Sequence, residues 1–402
     1  VQYFIARQPI FDRRLDVQAY ELLFRDGLDN LFQVNLKDED EASCHVISSA
    51  LEILGIERVT GTRRAFINLT RNLLIQDAAL VLPREWAVIE LIENIPPDPE
   101  VFAACERLRQ AGYQLALDDY IGGPNPLLDY ADIVKLDFRA TTPATRRTAC
   151  RELAARGVRV LAEKVETREE FEESLALGCS LFQGFFFSRP VILSGRATPA
   201  SRPHQLMLLR LVHEPVLNLD AIERVLQHEV SLSYRLLRYI NSAALGIPNR
   251  IGSLRQAVLL LGEETFRRWA SVAALNAMAG DKPLELVVGS TVRARFSESI
   301  ARRSGTRIDA GAAFLTGLFS MIDALFDRPM RDAVEALPLF PEVRAALTGK
   351  DGVLRKVLDL VIAYERGDWG ALSRSCGTLG VGEAEAPVCY YDSLAWANVT
   401  FG

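Results

Sequence analysis

The chain has 402 residues, 49% of them hydrophobic, and a formal net charge of −6; this length exceeds one ordinary hydrophobic core and calls for two domains. Residues 1–200 carry 23 Lys and Arg against 30 Asp and Glu, and residues 201–402 carry 23 against 22, so neither half has the basic surplus that makes nucleic acid a default partner. No apolar run reaches the roughly 20 residues of a membrane helix, the opening VQYFIARQPIFDRR lacks the charged start and apolar centre of a secretion signal, and the six cysteines include no CxxC pair. The expectation is a cytoplasmic protein with no membrane partner, no disulfide framework and no thiolate zinc site.

Up to about Pro190, strand-like and helix-like segments alternate. Six short apolar runs each end in a polar residue suited to holding a metal or a phosphate: FINLT at Asn68, VIELIE at Glu90, LALDD at Asp118 and Asp119, IVKLD at Lys135, VLAEKVE at Glu163 and LFQG at Gln183. Apolar runs bounded by helical stretches read as buried parallel strands. The helix expected over PEVFAACERLRQAGY, with Gly112 near its end and QLALDD after it, illustrates the alternation. Strands of a closed βα barrel recur roughly every 20 to 30 residues, and the reacting groups come from the carboxyl ends of many strands. The intervals here mostly fit, so the rim would collect acids from distant sequence.

If so, Glu21, Asn68, Glu90, Asp118 and Asp119 present five oxygen ligands at one mouth. Four crowded carboxylates repel and raise each other's pKa unless cations neutralise them. Hard divalent ions, Mg²⁺ or Mn²⁺, answer an oxygen-only set. Two of them about 4 Å apart would generate hydroxide and stabilise the attacking and leaving oxygens of phosphodiester cleavage. Lys135 and Arg25 would then meet phosphate oxygens or orient the attacking water. Plainer readings stand beside these: Glu90 and Asp118 as rim acids paired with arginines, Lys135 as a strand-end lysine reaching solvent, Glu163 in a solvated charge cluster with Lys164 and Glu166, and Asn68 as the cap of a helix beginning at Thr70 or Arg71.

The Pro, Ser and Gly content of residues 188–203 marks a connector, beyond which the apolar period is helical, as in Ile222, Val225 and Leu226 and again in Leu232, Leu236, Leu237 and Ile240. A barrel domain over residues 1–195 therefore precedes a helical domain over residues 196–402. From Ser373 the stretch SRSCGTLGVGEAEAPVCYYDSLAW reads as turn-rich, then a final helix. His45, His204, His213 and His228 are unclustered and receive no chemistry.

The series Gln8-Pro9-Ile10, Glu21-Leu22-Leu23-Phe24-Arg25, Asn68, Glu90-Leu91-Ile92-Glu93, Asp118-Asp119-Tyr120, Lys135-Leu136-Asp137, Ala162-Glu163-Lys164-Val165-Glu166 and Gln183-Gly184-Phe185 resembles the EAL domain family. Active members of that family hydrolyse cyclic di-GMP to linear pGpG. The resemblance covers residues 1 to about 192 and implies a two-metal site of Mg²⁺ or Mn²⁺ on Glu21, Asn68, Glu90, Asp118 and Asp119. It further implies that Lys135 and Glu163 organise the nucleophilic water and that Gln8, Arg25 and Gln183 touch the dinucleotide. Two departures stand out: Glu21-Leu22-Leu23 replaces Glu-Ala-Leu, and DYIGGPNPLLDY replaces a loop that reads close to DFGTGYSS in active members, with a shorter interval from Asp119 to Lys135. That loop normally helps set metal geometry and the contact of a homodimer. Because a misplacement of about 1 Å can cost on the order of 100-fold in rate, the alternative is a weak or inactive barrel acting as a cyclic di-GMP sensor or an interaction scaffold.

Residues from about 200 resemble the HDOD domain, a helical output module related to HD phosphohydrolases but without their metal ligands. The segments LSYRLLRYINSAALG, SLRQAVLLLGEETFRRWA and FLTGLFSMIDALF carry the likeness. Where an HD helix reads like GLLHDIG, this chain reads Gly317-Leu318-Phe319-Ser320-Met321-Ile322-Asp323, and no histidine follows His228. The implied role is non-catalytic, presenting a surface to a protein partner, with Asn241 and Trp269 explained by core packing. The expected fold class is α/β plus all-α: a TIM-like (β/α)8 barrel followed by a helical, HD-related bundle.

Overall fold

A hairpin, not a βα unit, opens the barrel. Strands β1 (Ile5–Phe11) and β2 (Val17–Phe24) run antiparallel, with Gln8 opposite Glu21. Residues 12–16 are too few for the crossover that a parallel pair requires. Asp12 closes the turn, its Oδ1 accepting from the backbone N–H of Arg14 at 2.8 Å and of Asp16 at 3.0 Å. The computed structural model describes residues 4–24, 59–185, 203–227, 254–280 and 282–401.

From β2 onward the expectation of parallel strands holds. Strands β3 (Arg64–Leu69), β4 (Ala87–Leu91), β5 (Gln114–Tyr120), β6 (Ile133–Asp137), β7 (Arg159–Glu163) and β8 (Leu181–Phe182) each pair parallel with the strand before. The exception is β1, which is antiparallel to both β2 and β8, where Phe11 faces Phe182 and the barrel closes. The start of β1 therefore shares a rim with the carboxyl ends of the other seven strands.

One buried residue from each strand forms an apolar layer inside this barrel: Ile10, Ala19, Phe66, Val88, Ala116, Ile133, Leu161 and Leu181. Side chains alternate faces along a strand with a period of two, so the layer fixes what stands above it. Two residues further toward the rim are Gln8, Glu21, Asn68, Glu90, Asp118, Lys135, Glu163 and Gln183. The apolar floor and the polar ring are one pattern read at successive inward positions.

Helices α1 (Arg71–Ile75), α2 (Pro99–Gln110), α3 (Pro143–Ala155) and α4 (Arg168–Ala176) follow individual strands. Each of the last three starts on a residue that satisfies orphan N–H groups: Asp98 accepts from Glu100 and Val101, Thr142 from Thr145, and Thr167 forms a capping box with Glu170. Contacts group Val1–Arg189 with Ala363–Gly370 in one compact unit and Pro190–Ile362 with Ala371–Gly402 in another. Within the first, the Tyr364 hydroxyl donates to the Ile5 carbonyl at 3.2 Å, and Trp369 stands edge-on to Phe4.

The rest of the described chain is helical: α5 (Pro203–Val212), α6 (Leu219–Gln227), α7 (Leu254–Leu261), α8 (Glu263–Ala279), α9 (Leu284–Arg303), α10 (Ala310–Leu318), α11 (Ile322–Phe326), α12 (Met330–Glu335), α13 (Pro341–Leu347), α14 (Val353–Glu365), α15 (Trp369–Leu379) and α16 (Glu385–Phe401). Helices α9 and α10 meet at Gly317, where a Cβ would fall 2.3 Å from the Arg293 carbonyl oxygen. The expectation of turns from Ser373 is corrected, because residues 373–379 continue α15. Leu372, Cys376 and Leu379 form its buried stripe while the intervening small residues lie elsewhere on the helix. The turn begins only at Gly380, whose φ of 64° suits a helix end. Among the described residues no helix is long and apolar enough to cross a membrane.

Candidate functional site

Lys135 stands at the centre of the polar ring. Its Nζ lies 2.8 Å from Asp118 Oδ1, 3.0 Å from Glu90 Oε1, 3.3 Å from Glu21 Oε2 and 3.9 Å from Glu163 Oε1. Strands β2, β4, β5, β6 and β7 thus deliver four acids and one base to a single point. The lysine side chain is only 1% exposed, so it does not reach solvent, and the acids pair with it and not with arginines. Amides complete the ring: Asn68 Nδ2 donates to Glu21 Oε1 at 3.2 Å, and Gln183 Nε2 donates to Glu21 Oε2 at 2.5 Å and to Gln8 Oε1 at 3.2 Å. Asn68 does not cap α1; that helix begins on Thr70 without a side-chain cap.

Burial and charge act on these acids unequally. For Glu21, burial would raise the pKa, but the Lys135 ammonium and hydrogen bonds from Gln183 and Asn68 outweigh it and hold the carboxyl below its ordinary value. Glu90 is raised well above the ordinary range by burial first and then by the Glu21 charge. Burial also raises Asp118, with Lys135 opposing. Glu163 is pushed up to about 8 by burial, partly offset by Lys135. Lys135 itself is raised well above its usual value, since Glu21, Glu90, Glu163 and Asp118 outweigh the burial that disfavours its charge. One cation cannot neutralise so many carboxylates, and Glu21 differs from the others in also accepting from the amides of Asn68 and Gln183.

Asp119 belongs to the edge of this ring. The β5–β6 register breaks between Leu117 and Tyr120, and Asp119 takes a left-handed backbone with φ 45°. Its carboxylate meets Lys164 Nζ at 2.5 Å, and the same ammonium lies 2.8 Å from Asp137 Oδ2. Asp119 also shares a potential metal-binding group with Asp118 and Glu93, their ligand oxygens all within 4.8 Å of one another. Glu93, Asp137 and Lys164 were assigned no role from sequence, although each lies inside a quoted motif. Their part depends on backbone turns after β4, β6 and β7 that no alternation of residue types reveals. Arg25 lies outside the described residues, as do Cys44, His45, His228 and Asn241.

The donor set fits hard divalent cations. Besides the oxygens on Lys135, the buried atoms Asn68 Oδ1, Glu90 Oε2, Glu163 Oε2 and Gln183 Oε1 have no hydrogen-bond partner. Buried acceptors left unpaired are costly unless something electropositive arrives. Oxygen donors without nitrogen or sulfur favour Mg²⁺, Mn²⁺ or Ca²⁺ over softer metals.

Among the described helical residues there is no comparable centre. Ser320, at the position of an HD histidine, donates to the Gly317 carbonyl at 2.7 Å and accepts from Arg293 at 3.2 Å, while Met321 is buried. Trp269 is buried in the core. Among the described residues, the group of three acids whose ligand oxygens all lie within 4.8 Å of one another is Glu93, Asp118 and Asp119, in the barrel.

Comparison with known proteins agrees with this division. The EAL domain family matches residues 42–190 and the HDOD domain family matches residues 199–330. The β1–β2 hairpin with Gln8 and Glu21 precedes the first match yet is built into the same barrel. The chain is 34% identical to YuxH of Bacillus subtilis over 99% of its own length and 98% of that protein. It is 36% identical to the cyclic di-GMP phosphodiesterase CdgJ of Vibrio cholerae over 94% of its length and 88% of the relative. Among solved structures, Klebsiella pneumoniae BlrP1 in a complex with calcium and cyclic di-GMP is 26% identical, with 47% of this chain and 56% of that one covered and a TM-score of 0.38.

Proposed function

Since this chain belongs to the family of EAL-domain proteins that carry an HDOD domain, we propose that it is a metal-dependent phosphodiesterase converting cyclic di-GMP to linear pGpG. The observation that carries this reading is the Lys135 ammonium gripped by Glu21, Glu90 and Asp118 at 2.8 to 3.3 Å in the barrel mouth. The proposal takes residues 1–195 as the barrel domain and residues 196–402 as a non-catalytic output domain for a protein partner. It includes a cytoplasmic location.

Glu21, Asn68, Glu90, Asp118 and Asp119 would hold two Mg²⁺ or Mn²⁺ ions. Such ions, when bound, activate water and stabilise the leaving oxygen of a phosphodiester. Lys135 keeps a fixed positive charge where a phosphate would sit, because its neighbouring acids make proton loss unfavourable. Glu163, 3.9 Å from Lys135 Nζ, would serve as the general base once bound cations and the Lys135 charge hold its carboxyl ionised. It would take the proton of the attacking water as the water oxygen bonds to phosphorus and one ester P–O bond breaks, and the departing oxygen takes up a proton from solvent to become the free hydroxyl of the opened ring. Gln8 and Gln183 present amides from the reversed strand and from the end of β8 to a ligand in the mouth, and Arg25 completes the proposed dinucleotide contacts.

Incubation of the purified chain with cyclic di-GMP and Mn²⁺, followed by chromatography, tests the assignment. pGpG is the expected product. Binding without product would make the barrel a sensor, and neither binding nor product would leave only a scaffold.

A further inference from the structure

Lys164 is the second cation of the mouth and has no role in the reading above. It follows Glu163 directly and adopts a left-handed backbone, φ 56°, which an L-residue enters at a cost. That turn sends its Nζ to Asp119 Oδ1 at 2.5 Å and Asp137 Oδ2 at 2.8 Å, with Glu163 Oε1 at 4.0 Å. Asp137 is a fixed anchor: it is buried, and its Oδ1 accepts from the backbone N–H of Arg139 at 2.6 Å and of Ala140 at 2.8 Å. The Lys164 side chain is 42% exposed. Its ammonium is therefore tethered on the barrel side by an immobile acid while its other contact, Asp119, stands beside Asp118 and Glu93 in a group able to hold a metal.

A lysine and a divalent ion cannot both sit on one carboxylate without strong repulsion. We propose that Lys164 is a built-in competitor for the divalent ion at Asp119: it occupies that carboxylate in the metal-free protein and must retreat onto Asp137 before an ion is held there. This rests on the reading of Asp119 as a metal ligand. Its consequence is that one ion of the pair is held more weakly than the ligand set alone would dictate, so occupancy follows the concentration of free metal.

Calorimetric titration of Mn²⁺ into the metal-free chain of both domains tests this without reference to turnover. Lys164→Met keeps an unbranched side chain, one atom shorter, while removing the charge, and is expected to tighten one Mn²⁺ site on the order of tenfold. Lys164→Gly, which also relieves the left-handed backbone, should tighten it equally, and Lys164→Arg should retain the weak site. Unchanged or weaker Mn²⁺ binding in both the Met and Gly variants overturns the proposal and leaves the metal site standing. Failure of wild type and both variants to bind Mn²⁺ overturns the metal reading and the proposal together.

Discussion

Gln183 reaches across the reversed first strand to donate to Glu21 Oε2 at 2.5 Å, so β8 and β2 are tied together over the top of β1. The same amide nitrogen donates to Gln8 Oε1 at 3.2 Å. A buried carboxylate at the mouth is thus held by neutral donors as well as by Lys135, and that explains why Glu21 alone among the central acids lies below its ordinary pKa. Gln183→Leu removes the donor and leaves Glu21 less compensated. The expected loss of stability is about 1–3 kcal/mol, measured by urea denaturation of the metal-free chain; no change would mean that the strand ends are held by packing alone.

The metal-free protein should lose stability as pH rises from mildly acid to mildly alkaline. Glu163 titrates near 8 in the fold against an ordinary value of 4.5, so between those values the folded state binds more protons than the unfolded one. Its stabilising proton is fully present below the lower value and lost as pH climbs through the higher. Thermal melts across this window should show the decline, Glu163→Gln should flatten it, and an equal slope in that variant would remove Glu163 as its source.

The helical residues should respond in the opposite sense. His213 is held near 4 by burial, with the Arg267 charge adding to the effect, and its Nε2 lies 3.2 Å from Ser271 Oγ. The unfolded chain takes up the proton first, so stability falls as pH drops below the ordinary histidine value toward the depressed one. The protection of the α8 amides, taken relative to the intrinsic exchange rate at each pH, should be lower at about pH 5 than at about pH 7, and His213→Gln should reduce that difference.

Gly317→Ala places a methyl 2.3 Å from the Arg293 carbonyl oxygen, a backbone contact that no rotamer change can relieve. Separation of α9 and α10 should cost about 1–3 kcal/mol, read from denaturant unfolding followed by the signal of the helical residues. A neutral result would mean that the two helices can shift apart freely.

Particular residues show why some of this architecture was legible in advance and some was not. Pairs such as Val88 and Glu90, or Ile133 and Lys135, announce an inward face because a strand alternates strictly, and the charged residue follows the apolar one at a spacing of two. Asn68, Asp118 and Glu163 were visible for the same reason. The direction of β1 was not, since it depends on the short turn closed by Asp12 and not on the composition of Ile5–Phe11. Lys164 escaped notice because its reach to Asp119 is made by a single left-handed residue. Ser373 and its neighbours read as turns because small polar residues favour turns as well as exposed helix faces, and Leu372, Cys376 and Leu379 decide between the two by packing.

The most direct measurement of the central claim is metal-dependent turnover of cyclic di-GMP by wild type, Glu163→Gln and Lys135→Met, followed as pGpG on a chromatograph. Wild type should form pGpG with Mn²⁺ or Mg²⁺ and none with excess chelator, and each variant should be slower by about 10²–10⁴-fold. Formation of pGpG in the presence of chelator, or undiminished turnover in Lys135→Met, would contradict a ring of carboxylates organised around that lysine to hold cations.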